Sequence, residues 1–298
     1  MFERILLPLD GSKLAEAAIP YGAELTARLG SEMILFHACA PEHQPFRSMH
    51  QLYLTEAVKG LERHMEKKFP RCEDWAVRTE IVVGEPADAI CEYAEKNDIR
   101  LIVMADHGSS DSKLWTLGSV ADKCVRAVKI PVLLIRLKEG RLIEGRKRLI
   151  SRILVSLDGS GTSETAVTYA AELAQRLKAS ITLYRMAEGR YFPTDDASAP
   201  MAVAPILAAE EKQARAYLTR IEKALRQRGI PVTHRVTQGV DAAAEILEQG
   251  EKTKADMVVM ASRGRSKIVR WVFGSVAHKI LFEGDSPLLL VRKAPDQL

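Results

Sequence analysis

An aspartate closing an apolar run, followed by glycine and serine, occurs twice in the chain, as Leu9-Asp10-Gly11-Ser12 and Leu157-Asp158-Gly159-Ser160. A carboxylate in that position can accept hydrogen bonds from the hydroxyls of a ribose, as acidic residues do in dinucleotide-binding folds. The same residues also suit a plain turn that ends in a helix N-cap. A second repeated pattern has the chemistry of anion binding. Nine residues separate Gly108 from Gly118-Ser119, and nine separate Gly264 from Gly274-Ser275. Gly108 and Gly264 can adopt positive φ and let the backbone approach a ligand closely. The Gly-Ser pairs open amphipathic stretches, so unpaired N–H groups and a positive dipole end face the preceding loop. Each favourable charge contact there is worth roughly 0.3–1 kcal/mol. The serine hydroxyls add a donor.

The two glycine loops differ in charge. Asp106-His107-Gly108-Ser109-Ser110-Asp111-Ser112-Lys113 places two carboxylates near the expected anion, whereas Ser262-Arg263-Gly264-Arg265-Ser266-Lys267-Ile268-Val269-Arg270 is rich in cations. A like charge ~4 Å from a phosphate costs about 1 kcal/mol or more, depending on the local dielectric. The second half is therefore expected to hold a phosphate-bearing ligand better than the first.

Both patterns belong to one long internal repeat, which governs the architecture. Glu16, Ala18, Tyr21, Ala23, Glu24, Leu25, Arg28 and Leu29 recur without a gap as Glu164, Ala166, Tyr169, Ala171, Glu172, Leu173, Arg176 and Leu177. Trp115, Gly118 to Ala121, Lys123 and Pro131 recur as Trp271, Gly274 to Ala277, Lys279 and Pro287. The 298 residues thus divide into two domains of ordinary size, expected at 1–145 and 148–298, with the basic stretch Arg136 to Arg152 as linker. Short, almost wholly apolar runs at Arg4–Leu9, Met33–Ala38, Val77–Val83, Leu101–Ala105 and Val132–Arg136 predict buried strands. Leu14–Leu29, Leu52–Phe69, Ala87–Lys96 and Ser119–Val128 predict the intervening helices. In the second half strands are predicted near Ile153–Leu157, Ile181–Met186, Val232–Thr237, Met257–Ala261 and Leu288–Arg292. Alternating strands and helices imply a doubly wound parallel α/β sheet in each half. Ligands of such sheets bind beyond the carboxyl ends of the strands, where the strand order reverses. Neighbouring first and fourth strands would bring the two loops to one crevice.

The combination of Leu-Asp-Gly-Ser, the segment Gly84-Glu85-Pro86-Ala87-Asp88-Ala89-Ile90 and the spaced glycines resembles the universal stress protein family over nearly the whole chain. The resemblance implies two tandem five-stranded domains of the adenine nucleotide α-hydrolase-like type, strand order 3-2-1-4-5. It also implies a stress-response protein that binds ATP or AMP without substantial catalysis, weak ATP hydrolysis at most, with magnesium accompanying ATP. In the family's ATP-binding members two further residues separate a preceding glycine from the first of the spaced pair; here Ala105 and Ala261 replace that glycine and narrow the space beside a ribose. By resemblance, adenine would lie near Ala38 or Met186 and ribose against Asp10 or Asp158, beside Leu9 or Leu157. Phosphates would meet Gly108, Gly118, Ser119 and Val120, or Gly264, Gly274, Ser275 and Val276, with Arg263 and Arg265 adding charge in the second half. The implied partners are the nucleotide, an unknown protein and a second tandem chain in a homo-oligomer.

Other classes are set aside. A net charge of +4 spread along the chain gives no nucleic-acid footprint. No apolar run reaches the ~18 residues of a membrane span, and the N-terminus lacks the pattern of a secretory signal. Four cysteines without paired spacing suit a reducing cytoplasm. His37, Cys39, His43, His50 and His64 match no compact metal pattern, and the equivalent stretch Gly189–Pro205 reads as a loop over the crevice. Walker, dinucleotide and nucleophile-elbow motifs are missing. Two readings besides the nucleotide-binding stress protein stay open: a nucleotide-free tandem scaffold of the same fold, and an ATP-consuming enzyme.

Overall fold

The computed structural model describes residues 1–70, 72, 75–108, 117–136, 146, 148–188, 199–263 and 273–292. Contacts gather the chain into two compact units, whose largest parts are Met1–Leu149 and Ile150–Val269. The first unit runs β1 (Arg4–Pro8), α1 (Lys13–Glu16), α2 (Ile19–Leu29), β2 (Glu32–Cys39), a 3₁₀ turn at Pro41–Phe46 and α3 (Arg47–Lys68). It continues with β3 (Ala76–Val83), α4 (Pro86–Lys96), β4 (Leu101–Ala105), α5 (Ser119–Ala127) and β5 (Val132–Ile135). Its strands lie in the order β3-β2-β1-β4-β5, and every pair runs parallel. Ile5, Leu6 and Leu7 of the central strand are fully buried, as a strand covered on both faces requires.

From Ile150 onward the chain repeats the scheme as β6 (Arg152–Ser156), α6 (Gly161–Leu177), β7 (Ser180–Glu188), α7 (Ala199–Gln227), β8 (Val232–Gly239), α8 (Ala242–Lys252), β9 (Met257–Ala261), α9 (Ser275–Glu283) and β10 (Leu288–Val291), although Pro287–Leu290 group by contacts with the first unit. Here β6 lies between β7 and β9, parallel to both, and β8 adds to β7. The expected α/β architecture is present, with the first and fourth strands of each unit adjacent.

Two predicted elements differ. The first helix of the first unit breaks at Ala17–Ala18, whereas α6 is continuous. Pro20 has no N–H, and its ring clashes with the carbonyl of Glu16, where α1 ends. Thr168 stands at the equivalent position in α6. The second difference corrects the reading of Gly189–Pro205 as a loop, because α7 already begins at Ala199 and carries Pro205 inside it. Alanine is the best helix former, and Ala199, Ala202 and Ala204 precede Pro205 in this stretch. Residues 189–198 lie outside the described residues.

Candidate functional site

Each unit has a cleft at the carboxyl ends of its strands, and the main hydrogen bonds that build the first recur in the second. In the first, Leu9 donates its N–H to the Phe36 carbonyl (2.8 Å), and in the second Leu157 donates to Tyr184 (2.9 Å). The aspartate that follows turns the chain. Asp10 Oδ1 accepts the Ser12 N–H at 2.9 Å, and Asp158 Oδ1 accepts the Ser160 N–H at 2.8 Å. Ser12 Oγ and Ser160 Oγ then cap α1 and α6 by accepting from Ala15 and Ser163, each at 3.1 Å. Gly11 and Gly159 make the turn at φ +86°, a left-handed conformation that side chains disfavour. Turn and cap are therefore real, and they engage one carboxylate oxygen.

The opposite wall is the start of α5 or α9. The Gly118 N–H closes the preceding loop onto the Asp106 carbonyl (2.8 Å), as Gly274 does onto Ser262 (3.1 Å). Both glycines have extended backbones, and no side chain caps either helix. Ser119, Val120 and Ala121, and Ser275, Val276 and Ala277, line their clefts, and N–H groups in a helix's first turn have no intrahelical acceptor.

A cleft of about 260 Å³ in the first unit brings together Leu9, Asp10, Ala38, Ala105, Gly108, Gly118, Ser119 and Val120. One of about 230 Å³ in the second brings together Leu157, Asp158, Met186, Ala261, Arg263, Gly274, Ser275 and Val276. Gly264 and Arg265 lie outside the described residues, as do Ser109 to Lys113, Trp115, Trp271 and Ser266 to Arg270. Gly108 needs correction. Its φ is not positive; a Cβ at that position would collide with Asp10 Oδ2. What requires glycine there is closeness to the strand-one carboxylate, and positive φ belongs to Gly11 and Gly159 instead.

The polar linings diverge. In the first cleft His107 directs Nδ1 to Asp106 Oδ1 at 3.1 Å, and its buried Nε2 has no hydrogen-bond partner. In the second, Ser262 and Arg263 take these positions. Arg263 lies close enough to Arg292 that burial and then the Arg263 charge hold the Arg292 guanidinium below its usual value. Tyr184 replaces Phe36 and adds a hydroxyl 2.6 Å from Thr237 Oγ1, which donates to Glu245 Oε2 at 2.9 Å. Burial pushes the Tyr184 phenol up to about 12. Arg185 covers the second turn: a Cβ on Gly159 would sit 2.7 Å from Arg185 Nη1, while Gly11 faces open space. The Arg185 guanidinium also lies 5.2 Å from the Tyr217 ring.

Sequence reasoning missed Pro86, Ile90 and Met104 in the first cleft, and Tyr184, Glu188, Ile246 and Met260 in the second. Tyr184 and Glu188 were findable, since alternate residues of a strand share the face of Met186. Nothing local announces Ile90 or Ile246, because helix-to-cleft packing is tertiary. Elsewhere, His37 stacks on His50 at 4.4 Å between ring centroids and donates from Nδ1 to the Leu9 carbonyl at 2.8 Å.

Comparison with known proteins decides the family. The profile of the Universal stress protein family matches residues 1–136 and again 150–292. The chain belongs to the universal stress protein family. A family member from Methanocaldococcus jannaschii is 28% identical over 152 residues, covering 51% of this chain and 88% of that protein. One from Mycobacterium tuberculosis is 26% identical over 222 residues, 74% of this chain and 70% of its own length. The crystal structure of a universal stress protein from Archaeoglobus fulgidus matches with a TM-score of 0.65 at 20% identity, covering 98% of this chain and 99% of that one. This last likeness concerns the fold.

Proposed function

We propose that the chain binds an adenine nucleotide, ATP or AMP, with the second cleft as the tighter site, and acts in stress response through nucleotide-dependent conformation or partner contacts rather than turnover. The observation that carries this reading is the pairing, in both units, of an uncapped glycine-led helix N-terminus with a carboxylate at the end of the first strand. One wall suits phosphate and the other suits ribose hydroxyls. Apolar residues between them, Ala38 and Ile90 in one unit and Met186 and Ile246 in the other, suit an adenine ring. The Arg263 cation favours the second cleft for phosphate, where the first has Asp106 beside His107. Magnesium would accompany ATP, neutralising the charge that a phosphate brings near Asp158 or Glu188.

Thermal unfolding with ATP, ADP, AMP and cyclic AMP tests the reading. A ligand at ~100 times its Kd adds ~2.7 kcal/mol, which raises the midpoint by several degrees. No shift with any of the four would leave the tandem scaffold as the function. Release of phosphate well above the uncatalysed background would replace binding by catalysis. Among the described residues no helix is long and apolar enough to cross a membrane, and the four cysteines are free thiols; a cytoplasmic setting accords with the thiols. Two tandem chains are proposed to associate, which light scattering would read as twice the 33.1 kDa of one.

A further inference from the structure

Cys91 and Cys124 stand on neighbouring helices behind the first cleft. Cys91 is half-buried on α4, and Cys124 is fully buried on α5. Cys124 Sγ lies 3.9 Å from the carbonyl oxygen of Ala87, one helical turn before Cys91 and on the same face of α4. The two sulfurs are also close enough to perturb each other. Packing does not require sulfur here: the second unit fills the equivalent positions with Leu247 and Ile280.

The contact makes the two thiols unequal. The contact with Cys124 holds the Cys91 thiol below its usual value, against burial and the nearby Asp88 and Glu95 carboxylates. The Cys124 thiol is pushed far up by the same contact and then by burial. One sulfur is partly exposed, and its neighbour is fully sheltered. Those are the properties of an attacking and a resolving thiol.

We propose that Cys91 and Cys124 form an oxidisable dithiol that a hydroperoxide converts into a disulfide bridging α4 and α5. In the first step the Cys91 thiolate attacks the peroxide O–O bond. A sulfur–oxygen bond forms, the O–O bond breaks, and the departing oxygen leaves as hydroxide and takes up a proton. Cys124 then attacks the sulfenic sulfur of Cys91. The S–S bond forms, the S–O bond breaks, and hydroxide leaves with the Cys124 proton as water. With hydrogen peroxide the balance is two thiols oxidised to one disulfide and one peroxide reduced to two waters. Ile90, adjacent to Cys91, and Val120 and Ala121, one turn before Cys124, line the first cleft, so the bridge ties together the two helices that form its wall.

The test treats the reduced full-length protein with one equivalent of hydrogen peroxide, blocks remaining thiols with N-ethylmaleimide and maps the peptides by mass spectrometry. The expected product is a Cys91–Cys124 cross-linked peptide that appears before any oxidation of Cys39 or Cys72. In Cys91→Leu, which carries the second unit's residue, Cys124 should lose its thiol at least about tenfold more slowly. In Cys124→Ser the reaction should stop at a sulfenic acid on Cys91 that a cyclic 1,3-dione traps. Oxidation of Cys72 ahead of Cys91, or equal loss of the Cys124 thiol in Cys91→Leu, would overturn the proposal. The map of the unsubstituted protein decides the matter even if a variant misfolds, and no nucleotide enters the experiment.

Discussion

The two clefts are built on one backbone plan and lined with different charges. In each, strand one ends in an aspartate that turns the chain, and a glycine opens the helix opposite. The Gly118 and Gly274 N–H groups close their loops onto equivalent carbonyls, at 2.8 and 3.1 Å. Over that shared frame the first unit places Asp106, His107 and Phe36, and the second Ser262, Arg263 and Tyr184. Backbone donors are supplied by the fold whatever the side chains are, so a duplicated domain can keep its uncapped helix N-terminus while its side chains change sign. Strength of binding can then diverge between the halves with no change in architecture.

The largest expected effect comes from placing a carboxylate at the opening of one helix and then of the other. Gly274→Asp should weaken nucleotide binding by about 2–4 kcal/mol, since unit charges ~4 Å apart interact by roughly 4 kcal/mol near a protein surface. Aspartate is a good N-cap, so the helix itself should survive. Gly118→Asp should cost far less of the total heat measured by titration calorimetry. Equal losses from the two variants would abolish the asymmetry.

Next is a difference in how the fourth strands are anchored. The Asp256 and Arg100 N–H groups make equivalent bonds to the Arg152 and Arg4 carbonyls, at 2.8 and 2.9 Å. Only the Asp256 carboxylate is buried, where Oδ2 accepts from Ser151 N and Oγ and from Arg152 N, while Oδ1 accepts from the Arg152 guanidinium. Burial pushes this carboxyl up, but the hydrogen bonds from Arg152 and Ser151 prevail and hold it below its usual value. Asp256→Asn should therefore destabilise the second unit by about 2–3 kcal/mol at neutral pH, as loss of hydrogen bonds to a charged group does. A depressed folded value means the stabilisation is full above the unfolded carboxylate value, near 3.9, and fades as pH falls through the folded one. Denaturant melts should show the deficit shrinking at acid pH; a constant deficit would mean that the charge is not involved.

Gly108→Ala probes the close approach of Asp10 in the first cleft. The added methyl must displace the Asp10 carboxylate, the far end of an exposed side chain, at a cost of about 1 kcal/mol or less in chemical denaturation. A neutral result would show that the carboxylate moves aside freely. An effect of similar size is expected from Tyr184→Phe, which gives the second cleft the residue of the first. Loss of the hydroxyl and its bond to Thr237 should cost about 1 kcal/mol, with nucleotide affinity shifted by less than about tenfold. A larger loss of binding would make the phenol a direct ligand contact and a further source of the asymmetry.

Sequence reasoning reached most of this frame because the signals are local or repeated. Buried parallel strands are nearly unbroken apolar runs, and the repeat of Asp-Gly-Ser and Gly-Ser at constant spacing marked both walls of each cleft. It failed where neighbours decide. Pro20 splits one helix, whereas Pro205 is carried inside another. The need for glycine at position 108 was assigned to φ, because sequence does not show that Asp10 comes to rest above it.

By itself, then, the sequence determined the duplication, the α/β class, the order of strands and helices, and the two glycine-bearing segments that border each cleft. Tertiary structure alone decided which side chains share a cavity. It set Asp10 against Gly108, Arg263 near Arg292, Arg185 over Gly159, and Cys91 beside Cys124. The physical reason is range: backbone propensity and apolar periodicity act within a few residues, whereas charge, collision and thiol contact depend on distances that exist only once the sheet has brought separate segments side by side.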